Sequence, residues 1–132
     1  MEERTFLLIK PDAVERNLIG EILKRVEEAG FKIVDLKMGE LPRTQAERFY
    51  QVHRGKHFFD KLIEYMMSGK VVAVLLERDD AVNRLREVIG ATDPKEAKAG
   101  TIRRDLALDG RRNSVHASDS SENVDYESKF FF

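Results

Sequence analysis

Six apolar residues stand in a row from Val71 to Leu76, VVAVLL, between Gly69-Lys70 and Glu77-Arg78. A run of that length is too short for a buried helix, and its β-branched content suits a strand covered on both faces. Thr5 to Ile9, TFLLI, has the same character and stops at Lys10-Pro11-Asp12, which reads as a turn. Two such strands confine the chain to folds with a central sheet sealed on both sides. The segments between them have other periods. Leu18, Ile22, Val26 and Ala29 recur at helical spacing, with Ile19 and Leu23 beside them, and Gly30 closes that helix. From Phe31 to Met38, Val34, Leu36 and Met38 alternate with Asp35 and Lys37, which predicts a strand with one solvated face.

Further along, Thr44 and Glu47 have capping-box spacing and predict a short helix through Phe49 and Tyr50. Phe59, Leu62, Ile63, Met66 and Met67 mark a helix that ends near Ser68-Gly69. Ala81, Leu85 and Val88 mark another, closed by Gly90. Ala91 to Asn113 has little periodicity and reads mainly as a long loop with a short helical turn in it. Loops of that length inside compact domains are often functional. A short strand over Ser114 to Ala117 and a brief helix toward Glu127 follow, with Ser118 to Ser121 offering N-caps. Phe130-Phe131-Phe132 is apolar and is expected to dock on its own domain or on a neighbour. The alternation predicts a two-layer α/β sandwich of ferredoxin-like βαββαβ order. It has a four-stranded antiparallel sheet, extra helices, and a long loop before the last strand, all in a single domain over residues 1–132.

Composition narrows the function classes. The 23 Lys and Arg nearly balance 24 Asp and Glu, which argues against a broad nucleic-acid or membrane footprint. Without cysteine there is no disulfide, thiolate nucleophile or Cys-based metal site. No stretch approaches membrane-spanning length, and a cytoplasmic location is the default expectation. No glycine-rich phosphate loop is present, so side chains would have to hold any nucleotide phosphates.

Three histidines are available: His53, His57 and His116. His53 and His57 are four apart and would form a metal pair on one helix face. Gly55 between them weakens that helix, and two surface histidines is the simpler reading. His116 follows the Arg111-Arg112 pair, and Glu127 lies eleven residues on, where it can fold back to hold the ring. A histidine oriented by a carboxylate beside phosphate-clasping arginines has the parts of a covalent phosphoryl carrier. Arg86, Arg103, Arg104, Arg111 and Arg112 concentrate positive charge in the second half. A solvated charged face is the alternative for them, and a surface position is the alternative for Lys10.

The segment Asn113 to Asp119, NSVHASD, resembles the active-site segment of nucleoside diphosphate kinases. Leu8-Ile-Lys-Pro-Asp12, Gly20-Glu-Ile, Gly90-Ala-Thr-Asp-Pro94 and Thr101-Ile-Arg-Arg-Asp105 resemble other motifs of that family, in its order and spacing, from about Thr5 to about Phe131. The resemblance implies a ping-pong transfer of the terminal phosphate from a nucleoside triphosphate to a nucleoside diphosphate through a phosphohistidine. His116 matches the phosphorylated histidine, Glu127 its orienting carboxylate with Ser118 nearby, and Tyr50 the neighbouring tyrosine. Lys10 matches the lysine that reaches the sugar hydroxyl and phosphates. Arg86, Thr92 and Arg103 match the phosphate-binding set, Asn113 the sugar contact and Phe58 the base-stacking aromatic. The family uses Mg²⁺, held mainly by the nucleotide with possible help from Asp119. It forms homo-oligomers built from dimers, as tetramers or hexamers, and no specific nucleic-acid partner is expected. Ala13 and Ala117 stand where the family usually has glycine, and Lys56-His57 where it commonly has arginine and proline. A β-carbon at Ala117 is expected to make a small adjustment beside His116. Rival readings are a catalytically silent binding protein on the same fold, an arginine-based nucleic-acid module, and a purely structural domain.

Overall fold

The computed structural model describes residues 2–110 and 112–132. Its strands are β1 (Glu2–Ile9), β2 (Lys32–Glu40), β3 (Lys70–Asp79) and β4 (Val115–Ala117). Its helices are α1 (Pro11–Glu15), α2 (Ile19–Glu28), α3 (Arg43–Phe49), α4 (Phe59–Met66), α5 (Ala81–Ile89), α6 (Ile102–Leu106) and α7 (Ser121–Ser128). The sheet order is β2-β3-β1-β4, with every neighbouring pair antiparallel. That is the ferredoxin-like order, with α3 and α4 inserted between β2 and β3 and α7 after β4.

The two apolar runs lie where their composition requires. β1 and β3 pair in the middle of the sheet, from Glu2 opposite Asp79 to Ile9 opposite Val72. Their residues alternate between two cores. Leu7, Ile9, Val72, Val74 and Leu76 pack with Ile22 and Val26 of α2 and Leu85 and Ile89 of α5. Phe6, Leu8, Val71 and Ala73 face the other way, onto Phe49, Phe59, Ile63 and Met66 of the inserted helices. Phe131 of the terminal triplet stacks on Phe6 with ring centroids 5.6 Å apart, and Phe130 meets Phe49 edge-on at 5.9 Å. The tail therefore docks on its own chain.

Three local expectations change. Pro11 does not end in a turn; it opens α1, where its fixed φ and missing N–H cost nothing. Thr44 does not cap: α3 already begins at Arg43, behind Pro42, and no side chain bonds its first turn. On β2, Leu36 and Met38 pair with Val74 and Val72, yet remain 41% and 52% exposed. β2 is the sheet edge, its register shifts between Ile33 and Asp35, and of its apolar residues Ile33 alone packs against the α2/α5 core. The loop from Ala91 to Asn113 contains α6, capped by Thr101, whose hydroxyl accepts from the Arg104 N–H. Gly90 has φ +88°, and a β-carbon there would lie 2.5 Å from Thr101 Oγ1, so only glycine lets α5 end against that loop. Among the described residues, no helix is long and apolar enough to cross a membrane.

Candidate active site

β4 has only three residues, but its pairing decides the site. His116 lies opposite Leu8, while Val115 and Ala117 lie opposite Ile9 and Leu7. Strand alternation therefore turns His116 toward the Phe49 side and buries Val115 and Ala117 in the α2/α5 core. The Ala117 β-carbon points away from the ring and does not crowd it. Only the Ala117 carbonyl faces the site, accepting from Arg86 Nη1 at 3.4 Å. Ala13 is likewise fully buried in that core.

α7 returns across the sheet behind its Ser120 cap and brings Glu127 to His116. Glu127 Oε2 lies 2.7 Å from His116 Nε2, and Ser118 Oγ donates to Glu127 Oε1. The carboxylate is buried at 8% exposure, so each oxygen spends its lone pairs on one defined partner. Phe49 and Tyr50 meet the imidazole edge-on, with centroids at 5.3 and 6.1 Å. With Nε2 committed to Glu127, Nδ1 is the ring nitrogen left facing the cleft. The Tyr50 hydroxyl is buried, with no partner among the described residues. Burial and then the Glu127 charge push its ionisation upward, so it stays a neutral phenol.

Two adjoining clefts open on His116. One, about 510 Å³, is lined by Lys10, Tyr50, Phe58, Thr92, Arg103 and Asn113 among others. The second, about 690 Å³, adds Arg86, Asp119 and Glu127, and His53, Thr92 and Arg103 line both. Lys10 follows the end of β1, and its ammonium donates to Asn113 Oδ1 at 2.8 Å. Burial, helped by the Arg103 charge, lowers its pKa to about 7, against the opposing pull of Asp12 and Asp109. Asn113 donates in turn to the Thr92 and Gly110 carbonyls at 3.3 and 3.2 Å. Arg103 is held by the Gly90 carbonyl at 3.1 Å and the Val115 carbonyl at 2.9 Å. Burial and then the neighbouring Arg86 lower its pKa to about 10, which still leaves it charged at neutral pH.

The basic concentration seen in the sequence divides. Arg86 and Arg103 enter the clefts. Arg104 turns to the Lys95 and Ala97 carbonyls, and Arg112 is clasped by Asp109 at 2.7 Å in a separate depression. Arg111 lies outside the described residues. His53 and His57 do not form a pair: His57 is exposed, whereas His53 is half-buried at the junction of both clefts, stacked near Tyr50 at 6.3 Å. Burial first, then the Lys56, His116 and Lys10 charges, hold its pKa below the ordinary histidine value. Nothing in the sequence marks this placement, because the 3₁₀ turn Gln51–His53 that creates it has no hydrophobic period. Asp119 is exposed and accepts from Asn123 Nδ2. Among the described residues, no cluster of three His, Asp or Glu side chains could hold a metal ion.

The sequence model of the nucleoside diphosphate kinase family matches residues 3–132. A nucleoside diphosphate kinase of Sulfolobus acidocaldarius is 55% identical over 130 residues, spanning 98% of this chain and 90% of that protein. One from Desulfatibacillum aliphaticivorans is also 55% identical, spanning 98% and 94%. The solved Aquifex aeolicus nucleoside diphosphate kinase superposes with a TM-score of 0.96 at 45% identity, covering 100% of this chain and 96% of that one. The Halobacterium salinarum enzyme, solved in complex with CDP, gives 0.95 at 40% identity, covering 100% and 88%.

Proposed function

The chain belongs to the nucleoside diphosphate kinase family, and from that premise we propose that it moves a terminal phosphate between nucleotides through a phosphohistidine on His116. Family membership makes it a phosphotransferase. The observation that carries the finer reading is the 2.7 Å contact between Glu127 and His116 Nε2. A carboxylate there keeps the proton on Nε2 and the lone pair on Nδ1.

In the first half reaction, the Nδ1 lone pair attacks the γ-phosphorus of a nucleoside triphosphate. The bond from that phosphorus to the β-phosphate oxygen breaks, and the nucleoside diphosphate leaves with the electron pair. Glu127 faces the positive charge that develops on the ring. Arg103 and Arg86 bring two guanidinium groups to the transferring and departing oxygens, and Thr92 adds a hydroxyl. In the second half reaction, a terminal phosphate oxygen of another nucleoside diphosphate attacks the phosphorus and the P–N bond breaks. Lys10 and Asn113 form the sugar-hydroxyl contact, Phe58 at the cleft mouth stacks on the base, and Tyr50 keeps a neutral hydroxyl beside the ring. Face stacking reads little of the base edge, so purine and pyrimidine nucleotides, ribose or deoxyribose, are all expected substrates. Such transfers would balance ribo- and deoxyribonucleotide pools, which fits a cytoplasmic location.

Among the described residues the clefts offer cations for phosphate and two carboxylates, Glu127, held by His116 and Ser118, and Asp119 at the exposed rim, which accepts from Asn123. That donor set suits Mg²⁺ carried in on the nucleotide phosphates, and Asp119 is the residue that would help to hold it. When bound, the ion neutralises charge on the β- and γ-phosphates. A homo-oligomer built from dimers, a tetramer or hexamer, is part of the same proposal. Exposed Leu36 and Met38 are apolar surface that such an assembly would cover.

The test is incubation with γ-labelled ATP and Mg²⁺. An acid-labile, base-stable label on the protein that chases onto added GDP is the expected result. Undiminished labelling of a folded His116→Ala variant would overturn the proposal.

A further inference from the structure

Asp12 is a buried carboxylate that the phosphate chemistry does not use. Its side chain is 3% exposed, and both oxygens are engaged. The Tyr65 hydroxyl donates to Oδ1, while Arg16 Nη2 at 3.0 Å and Ser114 Oγ at 3.3 Å donate to Oδ2. The backbone joins in. The Asp12 N–H donates to the Tyr65 oxygen at 3.2 Å, and Arg16 Nε donates to the Asp12 carbonyl at 3.1 Å. One side chain thus ties together α1, α4 and the segment entering β4.

Ser114 is the telling partner. It has φ +73°, a left-handed conformation that a non-glycine residue holds only when its surroundings enforce it. Its carbonyl accepts from the Lys10 N–H at 2.9 Å, and its hydroxyl reaches Asp12. The residue before it is Asn113, and the residue two before Asp12 is Lys10. The crossing of these two segments is therefore fixed from behind by Asp12. In front of it, Lys10 Nζ meets Asn113 Oδ1 at 2.8 Å. Asp12 also places a negative charge near the Lys10 ammonium, against the burial and the Arg103 charge that disfavour it.

We propose that Asp12 is a positioning residue for nucleotide recognition: through Ser114, Tyr65 and Arg16 it holds Lys10 and Asn113 at the spacing that grips the sugar 3′-hydroxyl. This rests on the reading of Lys10 and Asn113 as the sugar contact.

The measurement is the ratio of kcat/KM for a 2′-deoxynucleoside diphosphate to that for its 2′,3′-dideoxy counterpart, which lacks only the 3′-hydroxyl. Lys10→Ala and Asn113→Ala serve as references, and each is expected to collapse the ratio. If neither does, the sugar reading falls and this inference with it. Given that collapse, Asp12→Asn, close in shape but uncharged, is expected to lower the ratio roughly tenfold, as for a lost supporting contact to a binding group. Ser114→Ala, which removes one of the three links to the Asp12 carboxylate, is expected to lower it by about threefold. A merely structural role would slow both acceptors alike. A folded Asp12→Asn protein with an unchanged ratio overturns the proposal. Should that variant not fold by circular dichroism, an unchanged ratio in Ser114→Ala overturns it instead.

Discussion

Replacing Glu127 by glutamine separates what the carboxylate does by shape from what it does by charge. The glutamine oxygen can still accept from the His116 Nε2–H, and its amide can turn to Ser118 Oγ, which accepts instead of donating. Tautomer and ring orientation survive, and the negative charge is lost. A hydrogen bond to a charged group contributes about 1.5–3 kcal/mol and a neutral one about 0.5–1.5, so the difference is roughly 1.4 kcal/mol. As the ring becomes cationic during attack, that difference enters the barrier and slows phosphorylation by about tenfold. Glu127→Ala goes further. It leaves Ser118 Oγ, 1% exposed as a residue, and Nε2–H without their partner. Those unpaired groups lower stability, and the ring loses the whole charged hydrogen bond of about 1.5–3 kcal/mol together with its fixed tautomer, so phosphorylation slows by about 10²-fold. Single-turnover labelling from saturating γ-labelled ATP, followed by rapid quench, measures both rates. Equal loss in the two variants would refute the division into shape and charge. A glutamine variant as fast as the parent would refute any contribution from charge.

Lys10 gives the pH dependence. With a pKa near 7 it is largely neutral at pH 8, and an anionic nucleotide raises that pKa, so binding at pH 8 takes up a proton. Calorimetry in buffers of differing ionisation enthalpy should detect an uptake approaching one proton, abolished in Lys10→Met. The same lowered pKa makes the unfolded chain bind more protons than the native one between pH 7 and the ordinary lysine value. Stability from this group is therefore least below pH 7 and rises above it, by at most about 1.4 kcal/mol per pH unit; urea titrations at pH 6.5 and 8.5 in the parent and in Lys10→Met isolate its share. Arg103→Lys exchanges a fork held by two carbonyls for a single ammonium, and is expected to cost about 2 kcal/mol of stability and at least tenfold in kcat/KM. Phe131→Ala removes a half-buried ring from Phe6 and Phe49, and is expected to destabilise by about 2 kcal/mol in chemical denaturation while sparing the phosphorylation rate.

The parts legible in the sequence are those where one local rule decides. β1 and β3 are covered on both faces, so each reads as an unbroken apolar run. α2 and α5 carry a helical stripe and end at Gly30 and Gly90, both with positive φ. Pro11 was ambiguous because the same ring can stop a strand and open a helix. Leu36 and Met38 were misread because alternation reports which face a residue takes, not whether a helix covers that face. His116 and Glu127 are visible as residues, but their contact depends on α7 folding back over β4. His53 and Asp12 had no local signal. One is placed by an aperiodic turn, the other by Tyr65, 53 residues away.

The central claim is that Glu127, by holding Nε2, makes Nδ1 of His116 the atom that carries the phosphate. Phosphorus–nitrogen coupling in phosphorylated protein with ¹⁵N-labelled histidine reads that atom directly. Coupling to Nδ1 of His116 alone is the expected result. Coupling to Nε2, or a phosphate found on any other residue, contradicts the account.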